Sequence, residues 1–333
     1  MPSLTLVLPF ALPPQAHARD LIAQLRLPAL ARLLSRAART ARHAPSEHAS
    51  LHACLPHEQW LTRQTSDTSP PMAHQLIYKL GLSAAAGHWF VLQPVHLHVA
   101  RDHLVLTDYR QLQLDDSTAR TLFDAIRPLF ADQQIELLYG NSRYWFMRAD
   151  HWAELRTCTP DAACGHNIDI WQPSGATARD WRRLHNEVQM LWHQHPINEE
   201  REARGEQRVN ALWLWGASSG TESGDGLRVL SDALLQSGHT RMTETEHTDE
   251  SVRLRLDTSL LPLALADDWS GWLQQMQQME EQWFAPMLAA LSSGKLDQLT
   301  LVLSDSQRLD LWTARRSSMR KFWVSPSLSR LAS

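Results

Sequence analysis

A polar segment near the middle of the chain carries the residue types that proteins use to hold anions. Asn198, Arg201 and Arg204 stand three residues apart within residues 195–205, so a helical turn would place them on one face. Planar guanidinium groups and an amide are typical donors to phosphate and carboxylate. Asn210 opens the apolar run that follows. The pattern therefore predicts an anion-binding site.

The same segment leaves a second interpretation open. Glu199, Glu200, Glu202 and Glu206 are interleaved with the arginines, and exposed ion pairs of this kind are common and contribute little energy. A solvated charged turn with internal ion pairs would have the same sequence. The residues alone do not decide between the two interpretations.

A loop rich in glycine and serine follows the apolar run. Gly216-Ala217-Ser218-Ser219-Gly220 matches the G-x-S-x-G pattern of a nucleophile elbow. An elbow needs a helix directly after its serine, whereas residues 221–226 are polar and rich in glycine. We therefore expect Ser218 and Ser219 to cradle a phosphate, or to form a flexible loop, beside the anion site.

A histidine cluster provides a weaker candidate for metal binding. His96 and His98 are two residues apart on a predicted strand, so their side chains would share a face, and Asp102 and His103 follow. The usual two-metal spacing is H-x-H-x-D-H, and this chain has two extra residues before Asp102. We expect no metal and no cofactor, with these four residues as the candidates if a metal is bound.

Composition excludes several classes of protein. The 333 residues are 43% hydrophobic and 20% charged, with a net charge of -4, which favours a globular protein and argues against a nucleic-acid partner. Three cysteines without C-x-x-C spacing favour a reducing compartment. No apolar stretch is long enough to span a bilayer. We expect a cytoplasmic protein with no membrane partner.

Strand and helix patterns alternate along the chain. Predicted strands are Leu4–Leu8, Trp89–Val99, Leu104–Thr107, Ile135–Tyr139, Arg143–Met147, Asn210–Trp215, Arg253–Leu256, Leu299–Leu303, Leu309–Thr313 and Lys321–Val324. Predicted helices are Ala16–Arg39 (divided at Pro28), Pro56–Arg63, Thr118–Phe130 (preceded by the capping candidates Asp116 and Ser117), Ala176–His195, Leu227–Gln236 and Asp267–Leu291. The alternation predicts an α/β fold with a mixed sheet flanked by helices. We expect one domain over residues 1–333, with a weak subdivision near 150–175.

Several phrases of the sequence resemble the RpfE-type regulatory proteins of proteobacteria. The resemblance runs from the opening LPFALP to Lys321-Phe322-Trp323. The phrases are Pro94-Val95-His96-Leu97, Arg101-Asp102-His103-Leu104-Val105-Leu106, Asn186-Glu187-Val188-Gln189-Met190-Leu191 and Asn210-Ala211-Leu212-Trp213-Leu214-Trp215-Gly216. It implies a regulatory role.

The stretch His195–Gly216 is also similar to the HPxN-x-x-R-x-x-x-G…N segment of archaeal-type, cofactor-independent phosphoglycerate mutases. That resemblance implies part of an alkaline-phosphatase-like fold. Such mutases hold two metals with Asp and His clusters, but here the first strand ends in Leu8-Pro9-Phe10-Ala11 without an acid, and Leu303-Ser304-Asp305-Ser306-Gln307 lacks the expected Asp-His pair. The resemblance implies a mutase-like protein that retains a binding site without the catalytic metal ligands.

These observations lead to one functional expectation and two alternatives. We expect a binding or regulatory protein for a small phosphorylated or carboxylated metabolite, held by the asparagines and arginines of the 198–210 region, and not an enzyme. An active phosphoglycerate mutase or metal-dependent phosphatase is the first alternative. A regulator that acts by binding a protein partner through a Trp-rich surface is the second.

Overall fold

The computed structural model describes residues 2–43, 54–62, 70–220, 225–235, 243–245 and 252–332. Within these ranges the strands are β1 (Ser3–Leu8), β2 (Ala38–His43), β3 (Trp89–Val95), β4 (Leu97–Val99), β5 (Leu104–Leu106), β6 (Glu136–Tyr139), β7 (Trp145–Arg148), β8 (Ala211–Ser218), β9 (Thr243–Thr245), β10 (Val252–Leu256), β11 (Gln298–Ser304) and β12 (Leu309–Arg315). The helices are α1 (Ala18–Gln24), α2 (Pro28–Arg36), α3 (Pro56–Thr62), α4 (Ala73–Lys79), α5 (Asp116–Ala131), α6 (Pro160–Ala163), α7 (Ala178–His193), α8 (Pro196–Ala203), α9 (Asp225–Leu235), α10 (Leu261–Leu265), α11 (Trp269–Met279) and α12 (Ala285–Ser293).

The chain divides into two compact units. The first comprises Met1–His48, Leu55–Arg63 and Arg228–Ser333, and the second comprises Ala49–Cys54 and Gln64–Leu227. The subdivision expected near 150–175 falls inside the second unit. The expectation of a single domain over residues 1–333 stays a prediction.

The first unit is built on a mixed six-stranded sheet in the order β2-β12-β11-β1-β10-β9. Strand β1 runs parallel to both β10 and β11, and the outer pairings are antiparallel. Leu6, Val7 and Leu8 are fully buried, as expected for a central strand that is covered on both faces. The α/β class with a mixed sheet flanked by helices is confirmed.

A buried glutamate fixes the start of α2 in the first unit. Glu280 lies in a π-helical turn, Glu280–Phe284, that joins α11 to α12. Its carboxylate accepts hydrogen bonds from the backbone N–H groups of Ala29 (2.5 Å) and Leu30 (3.2 Å). These amides belong to the first turn of α2, where no helical carbonyl can reach them. The negative charge of the carboxylate is also stabilised by the positive end of the α2 helix dipole.

The second unit is built on an antiparallel four-stranded sheet in the order β6-β7-β3-β8, with a separate β4–β5 ribbon. Aromatic rings fill its core. Trp145 makes edge-to-face contacts with Phe123 and Trp192 at centroid distances of 5.2 Å and 5.9 Å, a favoured geometry for aromatic pairs. The expected hairpin around Gly140-Asn141-Ser142 is confirmed, and Asn141 Oδ1 accepts the N–H groups of Arg143 and Tyr144.

Helix α5 begins at Asp116, two residues earlier than the sequence pattern indicates. Asp115 is the N-cap, and its carboxylate accepts the backbone N–H and the hydroxyl of Thr118. These hydrogen bonds hold the pKa of Asp115 well below its usual range. The expected capping residues Asp116 and Ser117 instead lie in the first helical turn. That expectation was wrong because three polar residues in a row fit the capping pattern equally well.

Four other boundaries differ from expectation. The helix expected to continue to Arg39 ends at Arg36, and residues 38–43 form β2 on the edge of the sheet. The helix expected over Asp267–Leu291 is interrupted by the π-helical turn. Strand β8 continues to Ser218. The strand expected at Lys321–Val324 is a turn, because its residues find no sheet partner.

Two expected helix ends, Arg63 and Gln236, lie outside the described residues. None of the helices in the described part of the chain combines the length and the apolar character that crossing a lipid bilayer requires.

The cap on α2 makes a stability prediction. Glu280→Ala leaves two buried amides without acceptors, so we expect the free energy of unfolding to fall by about 1–2 kcal/mol. The neighbouring exposed Glu281 is the matched control, and its replacement by alanine should change stability by less than about 0.5 kcal/mol. Urea unfolding followed by circular dichroism measures both. Equal effects of the two substitutions would contradict the capping role.

A buried histidine makes a prediction about pH. His185 stacks on Trp181 with ring centroids 5.4 Å apart, and burial lowers its pKa to about 4. In the unfolded chain the pKa of a histidine is about 6.5. Between about pH 6.5 and pH 4 the unfolded chain therefore binds a proton at this residue that the folded chain does not bind. Stability contributed by this site is therefore complete above pH 6.5 and declines by about 1.4 kcal/mol per pH unit towards pH 4. His185→Leu should make that decline shallower in urea titrations at pH 7, 6 and 5, whereas an unchanged slope would refute the assignment.

Candidate functional site

Asn198 lies inside the second unit and not on its surface. The side chain is 1% exposed. Its Nδ2 donates to the carbonyls of Trp192 (2.9 Å) and Val209 (2.8 Å), and its Oδ1 accepts the N–H of Val209 (2.8 Å). The amide thus joins the end of α7 to the residues that lead into β8. Both Nδ2 hydrogens and the Oδ1 acceptor of the side chain are therefore used by hydrogen bonds to the backbone.

Arg201 is buried to the same degree, at 1% exposed. Its Nε donates to the Gln207 carbonyl (2.8 Å), its Nη2 donates to the Leu112 carbonyl (2.6 Å), and its Nη1 lies 3.1 Å from a carboxylate oxygen of Glu206. Burial lowers the pKa of Arg201, and Glu206 opposes that effect. The guanidinium ties α8 to the 3₁₀ turn Tyr109–Leu112.

The other two residues of the predicted set also bond within the fold. Arg204 is exposed and pairs with Glu206, with an Nε–Oε1 distance of 2.9 Å. Asn210 bonds both backbone groups of Leu97: its Oδ1 accepts the N–H (2.7 Å) and its Nδ2 donates to the carbonyl (2.9 Å). This pair of hydrogen bonds fixes the junction of β3 and β4 against the start of β8.

The predicted site residues therefore do not surround one cavity. Asn210 and Ser218 lie at opposite ends of β8, and an eight-residue strand spans about 26 Å. Ser219 is exposed. That this set binds an anion stays a prediction. In the structure its asparagines and Arg201 hold backbone segments together.

Ser218 pairs with a histidine that the sequence pattern did not indicate. Its Oγ accepts the backbone N–H of His74 (3.0 Å) and lies 2.7 Å from His74 Nδ1. Burial lowers the pKa of His74, and the hydrogen bond to Ser218 opposes that effect. Ser218 is only 3% exposed, and the positive φ of the turn belongs to Gly216 (φ 66°) and not to the serine. The hydroxyl satisfies an amide at the start of α4, unlike an exposed elbow nucleophile.

The four residues of the histidine cluster do not come together as one group. His96 Nδ1 bonds the Arg208 carbonyl at 2.9 Å, and burial lowers the pKa of this histidine. His98 is exposed on β4. Asp102 and His103 pair with each other at 2.8 Å in the turn between β4 and β5. Among the described residues, no three His, Cys, Asp or Glu side chains come together as a metal-binding group.

A cavity of about 150 Å³ lies beside the middle strand of the second unit. We call it the Gln93 cavity. Strand β3 contributes Gln93 and Pro94, the 3₁₀ turn and the loop after it contribute Tyr109, Arg110, Leu112, Gln113 and Leu114, and the β6–β7 hairpin contributes Ser142 and Arg143. A cavity of this volume has room for several waters or for a small metabolite.

Gln93 has no hydrogen-bond partner in this cavity wall. The residue is 1% exposed, and neither Oε1 nor Nε2 bonds any described residue. A buried polar group left unsatisfied costs about 1–3 kcal/mol, so native proteins pair nearly all of them. The amide carries one acceptor and two donors that no described residue meets. Sequence reasoning missed it, although Gln93 is the one polar residue in the strand WFVLQPV.

Two arginines of the cavity wall differ in their partners. Arg110 is held by Asp108 (2.9 Å) and by both oxygens of Asp161 (2.7 Å and 2.8 Å). Burial raises the pKa of Asp161, and Arg110 opposes that effect. Arg143, by contrast, is half-buried, and its guanidinium makes no hydrogen bond or ion pair with any residue that the structure describes. Arg143 is therefore the cation available to a ligand.

The cavity wall depends on the buried Arg201. Leu112, whose carbonyl accepts from Arg201, precedes Gln113, which adopts a left-handed conformation (φ 47°). Such a conformation is uncommon for a residue other than glycine and needs support from its surroundings. Arg201 thus supports the turn that contributes Leu112 and Gln113 to the cavity wall.

Comparisons with known proteins find only distant likeness. No family model matches the chain, and no curated protein matches it. The solved structures to which it is similar include the cofactor-independent phosphoglycerate mutase from Thermoplasma acidophilum, at 12% identity and a TM-score of 0.43, covering 100% of this chain and 95% of that one. Another is the PH0037 protein from Pyrococcus horikoshii, at 13% identity and a TM-score of 0.46, covering 94% of this chain and 87% of that one. The resemblance to RpfE-type proteins stays a prediction.

The contrast between Arg201 and Arg204 makes a prediction. Arg201→Ala leaves the backbone carbonyls of Leu112 and Gln207 without a hydrogen-bond donor among the described residues. We therefore expect the free energy of unfolding to fall by about 2–4 kcal/mol. Arg204→Ala, three residues along the chain, removes only an exposed ion pair and should leave the free energy of unfolding almost unchanged. Chemical denaturation of both variants measures the difference. Similar costs for the two would contradict the assignment of Arg201 as a structural residue.

Proposed function

We propose that this protein binds a small carboxylated or phosphorylated metabolite in the Gln93 cavity and acts by binding and not by catalysis. The observation that carries the proposal is the Gln93 carboxamide, which is buried with both polar atoms unpartnered. In this proposal a ligand in the neighbouring cavity supplies the donor and the acceptors that this amide lacks.

The charge of the occupant follows from Arg143. Its guanidinium reaches the cavity without an internal acid, and planar guanidinium groups favour the paired oxygens of carboxylate and phosphate. The Asp108, Arg110 and Asp161 group behind the wall is internally paired. The best ligand is therefore a small acid that also carries a hydroxyl, with the acid at Arg143 and the hydroxyl at Gln93.

In this proposal the sequence segment 198–210 acts indirectly. Asn198, Arg201 and Asn210 are positioning residues, because their hydrogen bonds fix backbone segments around the cavity. The ligand class remains the one expected from the sequence, while the groups that contact it change. A regulatory role in the cytoplasm, as the RpfE-type resemblance implies, belongs to the same proposal.

The experiment is isothermal titration calorimetry with glycerate, 3-phosphoglycerate and inorganic phosphate, with glycerol as the neutral control. We expect binding of at least one acid and none of glycerol. Arg143→Ala should weaken that binding at least about tenfold, because a charge-assisted hydrogen bond is lost. Arg204→Ala makes the same substitution at a residue that does not line the cavity, and it should leave the affinity unaltered. No binding of any acid, or equal binding by both variants, would refute the proposal.

Gln93→Met separates the ligand from the fold, because methionine matches glutamine in shape and lacks its polar atoms. The unliganded variant should be more stable than the natural protein by about 1–3 kcal/mol, since no buried amide is left unsatisfied. Its affinity for the acid should fall. Urea unfolding measures the change in stability, and calorimetry on the same preparation measures the change in affinity. A variant that is destabilised while it binds normally would show that Gln93 is only a packing residue.

A further inference from the structure

Two large aromatic side chains project from the surface of the first unit. Phe322 is 84% exposed and Trp323 is 69% exposed. They contact each other edge to face with centroids 5.1 Å apart, in the turn that follows the 3₁₀ helix Arg316–Arg320. Exposed apolar groups of this size on a globular protein mark a contact surface.

Cations surround this aromatic pair. Arg315, Arg316, Arg320 and Lys321 are exposed, and none of them forms an ion pair with a residue that the structure describes. No Asp or Glu occurs after Asp310 in the sequence. We call these four cations with Phe322 and Trp323 the basic aromatic face. It is strongly positive although the chain has a net charge of -4.

A cavity of about 460 Å³ opens beside the basic aromatic face. Its lining includes Arg36, Arg315 and Lys321 together with the hydroxyl residues Thr40, Ser317 and Ser318, and it contains no acid. Arg36 is 6% exposed, its Nη1 donates to the Met319 carbonyl, and its Nε is buried without a partner. Guanidinium, ammonium and hydroxyl donors without a competing carboxylate suit a phosphate group.

We infer that the basic aromatic face adsorbs to the surface of an anionic phospholipid bilayer. A lipid phosphate would sit in the cavity beside Arg36, and Phe322 and Trp323 would enter the boundary between headgroups and acyl chains, where aromatic rings are favoured. This site lies in the first unit and is independent of the Gln93 cavity. The expectation of no membrane partner came from the lack of a spanning segment, which adsorption does not need.

The geometry favours a bilayer over a protein partner. The aromatic pair stands out from a turn, whereas hot-spot residues of protein interfaces fill well-packed pockets. Clusters of four or more basic residues beside apolar side chains are typical of contacts with anionic lipid. At physiological salt the screening length is about 8 Å, so acids farther away than this from the four cations contribute little at the bilayer surface.

The experiment is flotation of the full chain with vesicles of phosphatidylcholine alone and of phosphatidylcholine with 30% phosphatidylglycerol. We expect binding to the anionic vesicles only, weakening as salt is raised. Arg320→Gln with Lys321→Gln should lower the partition constant about twenty-five-fold, at about fivefold per cation near the surface. Phe322→Ala with Trp323→Ala should lower it further at high salt, where the aromatic contribution dominates.

Matched controls lie on the second unit. Tyr78 is 76% exposed and serves as the aromatic control, and the exposed Arg127 and Arg183 serve as the pair of cations. Tyr78→Ala and Arg127→Gln with Arg183→Gln should leave vesicle binding unchanged. The urea midpoints of all variants verify folding.

Two results would overturn the inference. Equal partition onto neutral and anionic vesicles, or equal losses in the control variants, would exclude a specific contact of this face with lipid. Binding of inorganic phosphate that depends on Arg36 without any vesicle binding would assign the cavity to a soluble anion instead.

Discussion

The structure of the second unit depends on one constraint, which is that every buried polar group needs a partner. Asn198, Arg201 and Asn210 meet it by bonding backbone groups at Val209, Leu112 and Leu97. These bonds hold the strand ends and the 3₁₀ turn in place. Gln93, in the wall of the Gln93 cavity, is one of several buried side chains of the second unit that leave a polar atom unpartnered, and both of its side-chain polar atoms are in this state. We propose that a ligand in the cavity meets this requirement.

Much of the fold could be predicted from the sequence because the spacing of hydrophobic residues differs between helices and strands. Strands β1 and β11 and helices α5 and α7 lie within about two residues of their expected bounds, whereas the strand expected over Trp89–Val99 is divided into β3 and β4. The sheet partners of those strands could not be predicted, since pairing depends on contacts distant in sequence. Strand β2 carries polar residues on the sheet edge, so its composition matches a loop. Lys321–Val324 has the composition of a strand but no neighbouring strand to pair with.

The site was harder to predict for the same reason. Asn198 and Arg201 were identified as special residues, but spacing alone could not tell whether their donors face a ligand or the backbone. His74 and Ser218 are 144 residues apart in the sequence, so no local pattern connects them. Gln93 had only a weak signal, one polar side chain in an apolar strand. Its meaning appears when the strand, the turn and the hairpin are brought together around it.

The central claim is that an acid bridges Gln93 and Arg143, and the most direct test is a crystal structure of the protein soaked with the acid that binds best in calorimetry. We predict electron density in the Gln93 cavity, with the carboxylate or phosphate against the Arg143 guanidinium and a hydroxyl within hydrogen-bond distance of the Gln93 amide. A structure in which the amide bonds another protein group, and the cavity is filled by side chains, would contradict the account.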